Sequence, residues 1–226
     1  MKPAVKWFDS MGWKVFQFQK ESWEAYHEGY HGIVNAPTGS GKTYSLLLPI
    51  LLNENEGGVK RTGLKAIWIT PIRALTKEIH MSAQRAVDGL GMEWTIGVRT
   101  GDTTTAERSR LKNNPPDLLI TTPESLHLLL AQKGYETYFR NLDAIVVDEW
   151  HELMGSKRGV QIELALSRLK AFLPKLRIWG ISATIGNMDQ ALEVLLGTNT
   201  ERSKIIKADI EKKIEVLSIL PDEVET

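Results

Sequence analysis

Cysteine is absent from all 226 residues, which excludes disulfides and thiolate metal sites and fits a reducing compartment. Neither sign of charge prevails, because 28 Lys and Arg face 28 Asp and Glu. A nucleic-acid surface therefore has to be a local patch and not a global excess of charge. No apolar run approaches the roughly 20 residues that span a bilayer. The opening MKPAVKWFDS also lacks the apolar centre of a secretory leader. No membrane partner is expected, and a cytoplasmic setting is. Internal repeats and low-complexity tracts are missing as well. What remains is an ordinary globular balance, with length enough for one large α/β domain or two small ones.

Short β-type runs alternate with longer helix-period stretches, the pattern of a parallel sheet covered by helices. The strand candidates are GIVNA from Gly32, LKAIWIT from Leu64, WTIGVRT from Trp94, DLLITT from Asp117, LDAIVVD from Leu142 and LRIWGIS from Leu176. Several are apolar throughout, as strands buried on both faces are. Between them lie the helical patterns FQFQKESWEAYHEG, GKTYSLLLPILLN, RALTKEIHMSAQRAVDGL, TTAERSRLKN, PESLHLLLAQ and GVQIELALSRLKAFL. In the last of these, Val160, Leu164, Leu166 and Leu169 are read as the face that packs on the sheet. Gly57-Gly58 and Asn113-Asn114-Pro115-Pro116 read as turns.

NAPTGSGKTYS, from Asn35, follows a strand and opens a helix, the context a phosphate-binding loop needs. Its glycines let successive backbone N–H groups point into one concavity at a helix N-terminus. Pro37, Thr38, Gly39, Ser40, Gly41, Lys42 and Thr43 are the candidate nucleotide contacts. Lys42 is placed to reach the β and γ phosphate oxygens, and the Thr43 hydroxyl to ligate Mg²⁺. LDAIVVDEWH supplies the complementary acids, Asp148 and Glu149, at the C-terminal end of an apolar strand, where open α/β sheets bind ligands. Asp148 is expected to hold Mg²⁺ through its water shell, and Glu149 to act as base or orienter for an attacking water. ATP with Mg²⁺ is the expected cofactor pair.

Three further stretches complete an ordered set: TPIRAL from Thr70, TTPES from Thr121 and SAT from Ser182. With APTGSGKT and DEWH they resemble motifs I, Ia, Ib, II and III of superfamily 2 helicases of the DExH kind, and RTGD from Arg99 resembles the small motif between Ia and Ib. The segment DEWHELMGSKRGVQIEL from Asp148 is similar to the large helicase-related (Lhr-type) branch. WFDSMGWKVFQFQKESWEAY with NAPTGSGKT resembles, more narrowly, the bacterial ligase-associated DExH-box helicases. The resemblance implies a RecA-like three-layer α/β domain, with a mostly parallel central sheet and helices on both faces. It implies an ATP-dependent DNA helicase or translocase acting on single-stranded DNA, moving 3′ to 5′, in DNA repair. An RNA-dependent ATPase is the alternative, since contacts to the backbone alone do not separate the two nucleic acids.

On that reading Thr70, Pro71, Arg73, Thr100, Gly101, Thr121, Thr122 and Pro123 are candidate nucleic-acid contacts. Small hydroxyl and amide groups bind successive phosphates without reading bases. His151, Ser182 and Thr184 are the candidates for coupling nucleotide state to grip on the strand. WKVFQFQKESWEAY looks like the family's adenine-recognition segment. Gln19 is the candidate because its amide offers both a donor and an acceptor to adenine. Gln17 competes two residues away, and Phe8 or Phe16 is the aromatic that stacks on the base. Lys157 and Arg158 are either phosphate contacts or a solvated basic turn, and Trp150 is expected to pack. Residues 1–210 are expected to form the first motor domain. Residues 211–226 are expected to form a last strand or linker toward a second RecA-like domain, the partner that completes the ATP site.

Overall fold

The alternation of short apolar runs with amphipathic ones resolves into a seven-stranded sheet. In the computed structural model, residues 1–53, 62–183, 186–197 and 201–209 are described. The readings at Gly57-Gly58, at Thr184 and at 211–226 lie outside them. The strands are β1 (His31–Asn35), β2 (Ala66–Ile69), β3 (Ile96–Arg99), β4 (Leu118–Thr121), β5 (Ala144–Val147), β6 (Arg177–Ser182) and β7 (Ser203–Lys207). All pair in parallel, in the order β3-β4-β2-β5-β6-β1-β7. Every C-terminal strand end therefore lies along one edge.

Residues alternate across the pleat, and each face meets its own helical layer. Val34, Trp68, Val146, Trp179 and Ile181 point to one side. There they pack with α1 (Lys2–Ser10), α2 (Gln17–His27), α3 (Lys42–Leu52) and α4 (Arg73–Gly89). Ile33, Ile67, Ile69, Ile145 and Ile178 point to the other. They meet α6 (Pro123–Leu130), α7 (Tyr135–Phe139), α8 (Trp150–Leu153), α9 (Lys157–Phe172) and α10 (Met188–Leu196). α5 (Thr105–Asn113) covers the edge strand β3: a Cβ at Gly97 would come 2.8 Å from the Leu111 side chain. Its first turn is fixed by a reciprocal cap between Thr104 and Glu107. This is the three-layer arrangement expected of the sequence, with an all-parallel sheet.

α3 is apolar all round because it is enclosed: nine of its residues, Lys42 included, are buried. α2 is fastened to it by the Trp23 indole N–H, which donates to the Tyr44 carbonyl at 3.1 Å. One expectation fails on α9. Val160 and Leu164 are 52% and 59% exposed, while Gly159, Ile162, Ala165, Leu166 and Leu169 form the buried face. The helix is rotated because its start is fixed by the corner before it. Ser156 caps the Gly159 N–H at 3.1 Å, and Gly159 lies so close to the Leu153 carbonyl that a Cβ would fall 2.2 Å from it. Trp150 packs as expected, buried, with its indole donating to the Ala191 carbonyl at 2.9 Å.

Gly32, on the strand that leads into the phosphate-binding loop, has no room for a side chain. A Cβ would lie 2.1 Å from the Lys204 carbonyl oxygen and 2.8 Å from the Trp179 ring. Gly32→Ala should cost about 1–3 kcal/mol through overpacking, read as a lower urea midpoint with an unchanged slope.

Candidate nucleotide site and nucleic-acid edge

The loop after β1 turns through two left-handed glycines, Gly39 (φ 79°) and Gly41 (φ 76°), a conformation that other residues adopt only at a cost. Ser40 closes it by donating to the Pro37 carbonyl at 2.7 Å. Pro37 is half-buried, and Thr38 and Gly39 are exposed above the loop. α3 then begins at Lys42, with Thr43 half-buried in its first turn.

Lys42 and Glu149, 107 residues apart in sequence, form an ion pair at 2.7 Å. Glu149 sits at φ 47°, the one non-glycine left-handed residue described, a backbone strain typical of functional sites. Its neighbour Asp148 is buried, with both oxygens engaged. One accepts the Trp68 indole N–H at 3.1 Å, and the other accepts the Glu149 backbone N–H at 2.9 Å. Burial is the largest influence on Asp148 and raises its pKa to about 6. The Trp68 bond and Lys42 oppose that rise, and Glu149 adds to it. The acids continue into a short relay. Glu149 lies 3.5 Å from His151 Nδ1, which is 3.2 Å from the Ser182 hydroxyl. Lys42, Asp148, Glu149, His151 and Ser182 are thus brought together, and Thr184 lies outside the described residues.

Gln19 is buried beneath the loop. Its Nε2 donates to the Gly41 carbonyl at 3.0 Å, and its Oε1 accepts the Phe16 N–H at 3.0 Å. Gln17 faces solvent and pairs with Glu21. Phe8 is buried among Trp7, Trp13, Trp23 and Tyr44, whereas Phe16 is 39% exposed beside Gln19.

Along the same sheet edge lie the threonines. Thr70, Thr121 and Thr122 are buried, as are Pro71 and Pro123. The Thr121 hydroxyl donates to the Arg99 carbonyl at 2.8 Å, and that of Thr122 lies 3.3 Å from the Ser125 hydroxyl. These hydroxyls fix the ends of β3 and β4 to each other and to α6, and they do not face outward. Thr100 is also buried and braces its loop through Asp102 N–H. Gly101 is exposed, and Arg73 lies against it while its Nη1 donates to both carboxylate oxygens of Asp102, at 2.8 and 3.0 Å. Arg158 is paired with Glu124 at 2.6 Å, and Lys157 is exposed.

With this geometry in view, comparison with known proteins is decisive. Residues 16–191 match the DEAD/DEAH box helicase family. The chain belongs to that family. It is 36% identical over 214 residues to the Lhr helicase/uracil glycosylase of Escherichia coli, covering 86% of this chain and 14% of that one. It is 36% identical to the ATP-dependent helicase Lhr-Core of Methanothermobacter thermautotrophicus, covering 76% of this chain and 21% of that one. A solved structure of Mycobacterium smegmatis helicase Lhr, bound to ssDNA and AMP-PNP, superimposes with a TM-score of 0.81. The two are 29% identical, and the match covers 95% of this chain and 28% of the other. This helicase domain thus spans between a seventh and about a quarter of the length of those relatives.

Two residues of the helicase domain's site lie outside the recognised motifs. Asn35 donates its side-chain amide to the Ala183 carbonyl, tying the root of the phosphate-binding loop to the SAT segment. Trp68, in the centre of β2, holds Asp148. Asn35 carries a weak signal, a polar residue ending an apolar strand. Trp68 carries none, since a tryptophan in a buried strand reads as core.

A raised carboxyl pKa means that the folded chain binds an extra proton between pH 3.8 and about 6. The stability tied to the protonated form is present below that window and is lost as pH rises through it. Asp148→Asn loses one of the two accepted hydrogen bonds at every pH, but its stability relative to wild type should rise by about 3 kcal/mol between pH 4 and pH 7. Denaturant unfolding at both pH values measures the change, and a difference that does not move with pH would contradict the burial cost.

Proposed function

We propose that this domain binds Mg²⁺ and ATP at the Lys42, Asp148 and Glu149 cluster and couples ATP hydrolysis to movement along single-stranded DNA. The observation that carries the reading is the Lys42–Glu149 ion pair, which joins a phosphate-binding loop to an acidic pair at one sheet edge. Lys42 exchanges its carboxylate for a phosphate oxygen when nucleotide arrives, and the released Glu149 is free to orient a water for attack. Thr43 and Asp148 are hard oxygen donors, the set Mg²⁺ prefers. Among the described residues each Asp148 oxygen accepts one hydrogen bond, which leaves lone pairs for a metal-bound water. The ion, when bound, neutralises charge on the phosphates. Phe16 supplies the exposed aromatic surface for the base, and Gln19 couples base recognition to the loop through Gly41.

Single-stranded DNA is favoured as the track because the M. smegmatis Lhr structure carries it together with AMP-PNP. Gly101 and Arg73 are the contacts most open to it. His151 and Ser182 pass the change at Glu149 toward the strand ends. A second RecA-like domain, in the further length that the relatives possess, supplies the remaining half of the ATP site. An arginine from such a partner contributes roughly 10³–10⁵ in related phosphoryl transfers. A role in DNA repair, in the cytoplasm, is part of the same proposal.

Two outcomes are expected. Mg²⁺-dependent ATP turnover by the 226-residue chain should stay near that of Lys42→Ala, with or without single-stranded DNA. Turnover stimulated by DNA would remove the need for a second domain, and equal stimulation by RNA would remove the preference for DNA. Glu149→Gln should bind Mg·ATP several-fold more tightly than wild type, because Lys42 loses a competing anion. In a longer chain that turns over ATP, the same change should slow turnover about 10²–10⁴-fold. Weaker binding by Glu149→Gln in equilibrium titration would contradict the exchange.

A further inference from the structure

Arg99 ends the edge strand β3 with its guanidinium enclosed: the residue is 5% exposed. Its side chain leaves the same face of the strand as Gly97, the face that α5 covers. Its electrostatic neighbours are Tyr138 and a second arginine, Arg108. Nη1 of Arg99 and Nε of Arg108 are both buried without a hydrogen-bond partner among the described residues. Neither arginine has an ion pair among the described residues. Two adjacent guanidinium groups, one of them almost wholly enclosed, therefore lack a counter-charge.

Such an arrangement is costly in isolation. A buried charge without a partner destabilises a fold by several kcal/mol, and an orphaned buried donor signals an absent ion or water. Burial holds the Arg99 guanidinium below its ordinary pKa. Tyr138 opposes that shift, and Arg108 adds to it. The neighbourhood narrows the choice of anion. Arg108 is half-buried and donates from Nη2 to the Gly101 carbonyl at 2.8 Å, and Arg73 lies against the same glycine. Gly101 thus sits between two arginines, in the exposed loop at the C-terminal strand edge.

We propose that Arg99 and Arg108 form a phosphate site, occupied by a backbone phosphate of the bound strand and set beside the Thr100–Gly101 contact. This rests on the reading that single-stranded nucleic acid crosses this edge. Arg108 provides the direct contact through Nη1, since its Nε is enclosed and its Nη2 is held by the Gly101 carbonyl. Arg99 stands behind it as the enclosed charge that the phosphate neutralises. The site extends the track outward across the edge strand, beyond Arg73.

The test uses the 226-residue chain, a labelled single-stranded oligonucleotide and inorganic phosphate, with the variants Arg108→Gln and Arg99→Met. The logarithm of the binding constant is followed against the logarithm of salt concentration. Removing one single-strand phosphate contact should flatten that slope by about 0.7, in both variants. Thermal melts compare phosphate with chloride at equal ionic strength; wild type should gain more in phosphate than the variants, which keep only the gain from the phosphate-binding loop. In phosphate-free buffer Arg99→Met should melt at or above wild type, since it removes an uncompensated charge.

If protection by phosphate is lost while the slope is unchanged, the site is a phosphate site that takes the free ion. If slope and protection both match wild type in Arg108→Gln, the proposal is overturned. It is overturned as well if Arg99→Met melts far below wild type, because Arg99 is then a structural group. If wild type binds no oligonucleotide yet loses phosphate protection on substitution, the nucleic-acid reading fails and the phosphate site stands.

Discussion

The pairing of Lys42 with Glu149 is the constraint on which the rest of the site depends. Lys42 begins the helix after β1 and its loop, and Glu149 follows β5, strands separated by β6 in the sheet, so their contact ties the two segments together. A lysine ammonium is heavily hydrated, and enclosing it without an anion is unfavourable. The chain meets that demand with a carboxylate whose backbone is itself held in a strained conformation. On the proposed nucleotide role, a phosphate would bring more negative charge to Lys42 than a carboxylate does, and the exchange would run in the direction that frees Glu149.

The same acid reaches the second half of the machinery. Glu149 borders His151, His151 borders Ser182, and Asn35 binds the carbonyl next to Ser182. β6 lies between β1 and β5 in the sheet, so its C-terminal end is flanked by both nucleotide segments. This is a chain of direct contacts, with an ion pair at one end and hydrogen bonds at the other.

Much of this architecture was legible in the residues, for a physical reason in each case. Six of the seven strands are apolar runs bounded by turn residues, because both faces of a parallel sheet are buried. β7 escaped notice because it lies at the edge: in SKIIK only Ile206 is buried, so its composition is that of a polar connector. Which of Gln19 and Gln17 is enclosed was also open to periodicity. Gln19 shares the 3.6-residue stripe of Ser22, Trp23 and Tyr26, and that stripe lies on α3. The surroundings of the threonines were not legible in this way. A hydroxyl at a strand end is equally suited to a ligand or to the next strand's carbonyl, and only the neighbouring chain decides. Val160 and Leu164 show the same limit on α9, where a capped, sterically fixed start sets the rotation of the helix against the preference of its leucines.

Charge distribution separates two kinds of cation that composition makes identical. With equal numbers of acids and bases, the surface carries no bulk attraction for a polyanion. Specific binding has to come from cations whose partners are replaceable or missing. Lys42 is held by Glu149 and Arg73 by Asp102, each across a single ion pair at the ligand edge. Arg158 and Arg177, by contrast, are held by Glu124 and Asp143 away from the phosphate-binding loop, where they join helices and strand starts. The first pair stand where the proposed phosphates would bind, so a phosphate would meet each cation by displacing one carboxylate, whereas the second pair tie elements of the fold together.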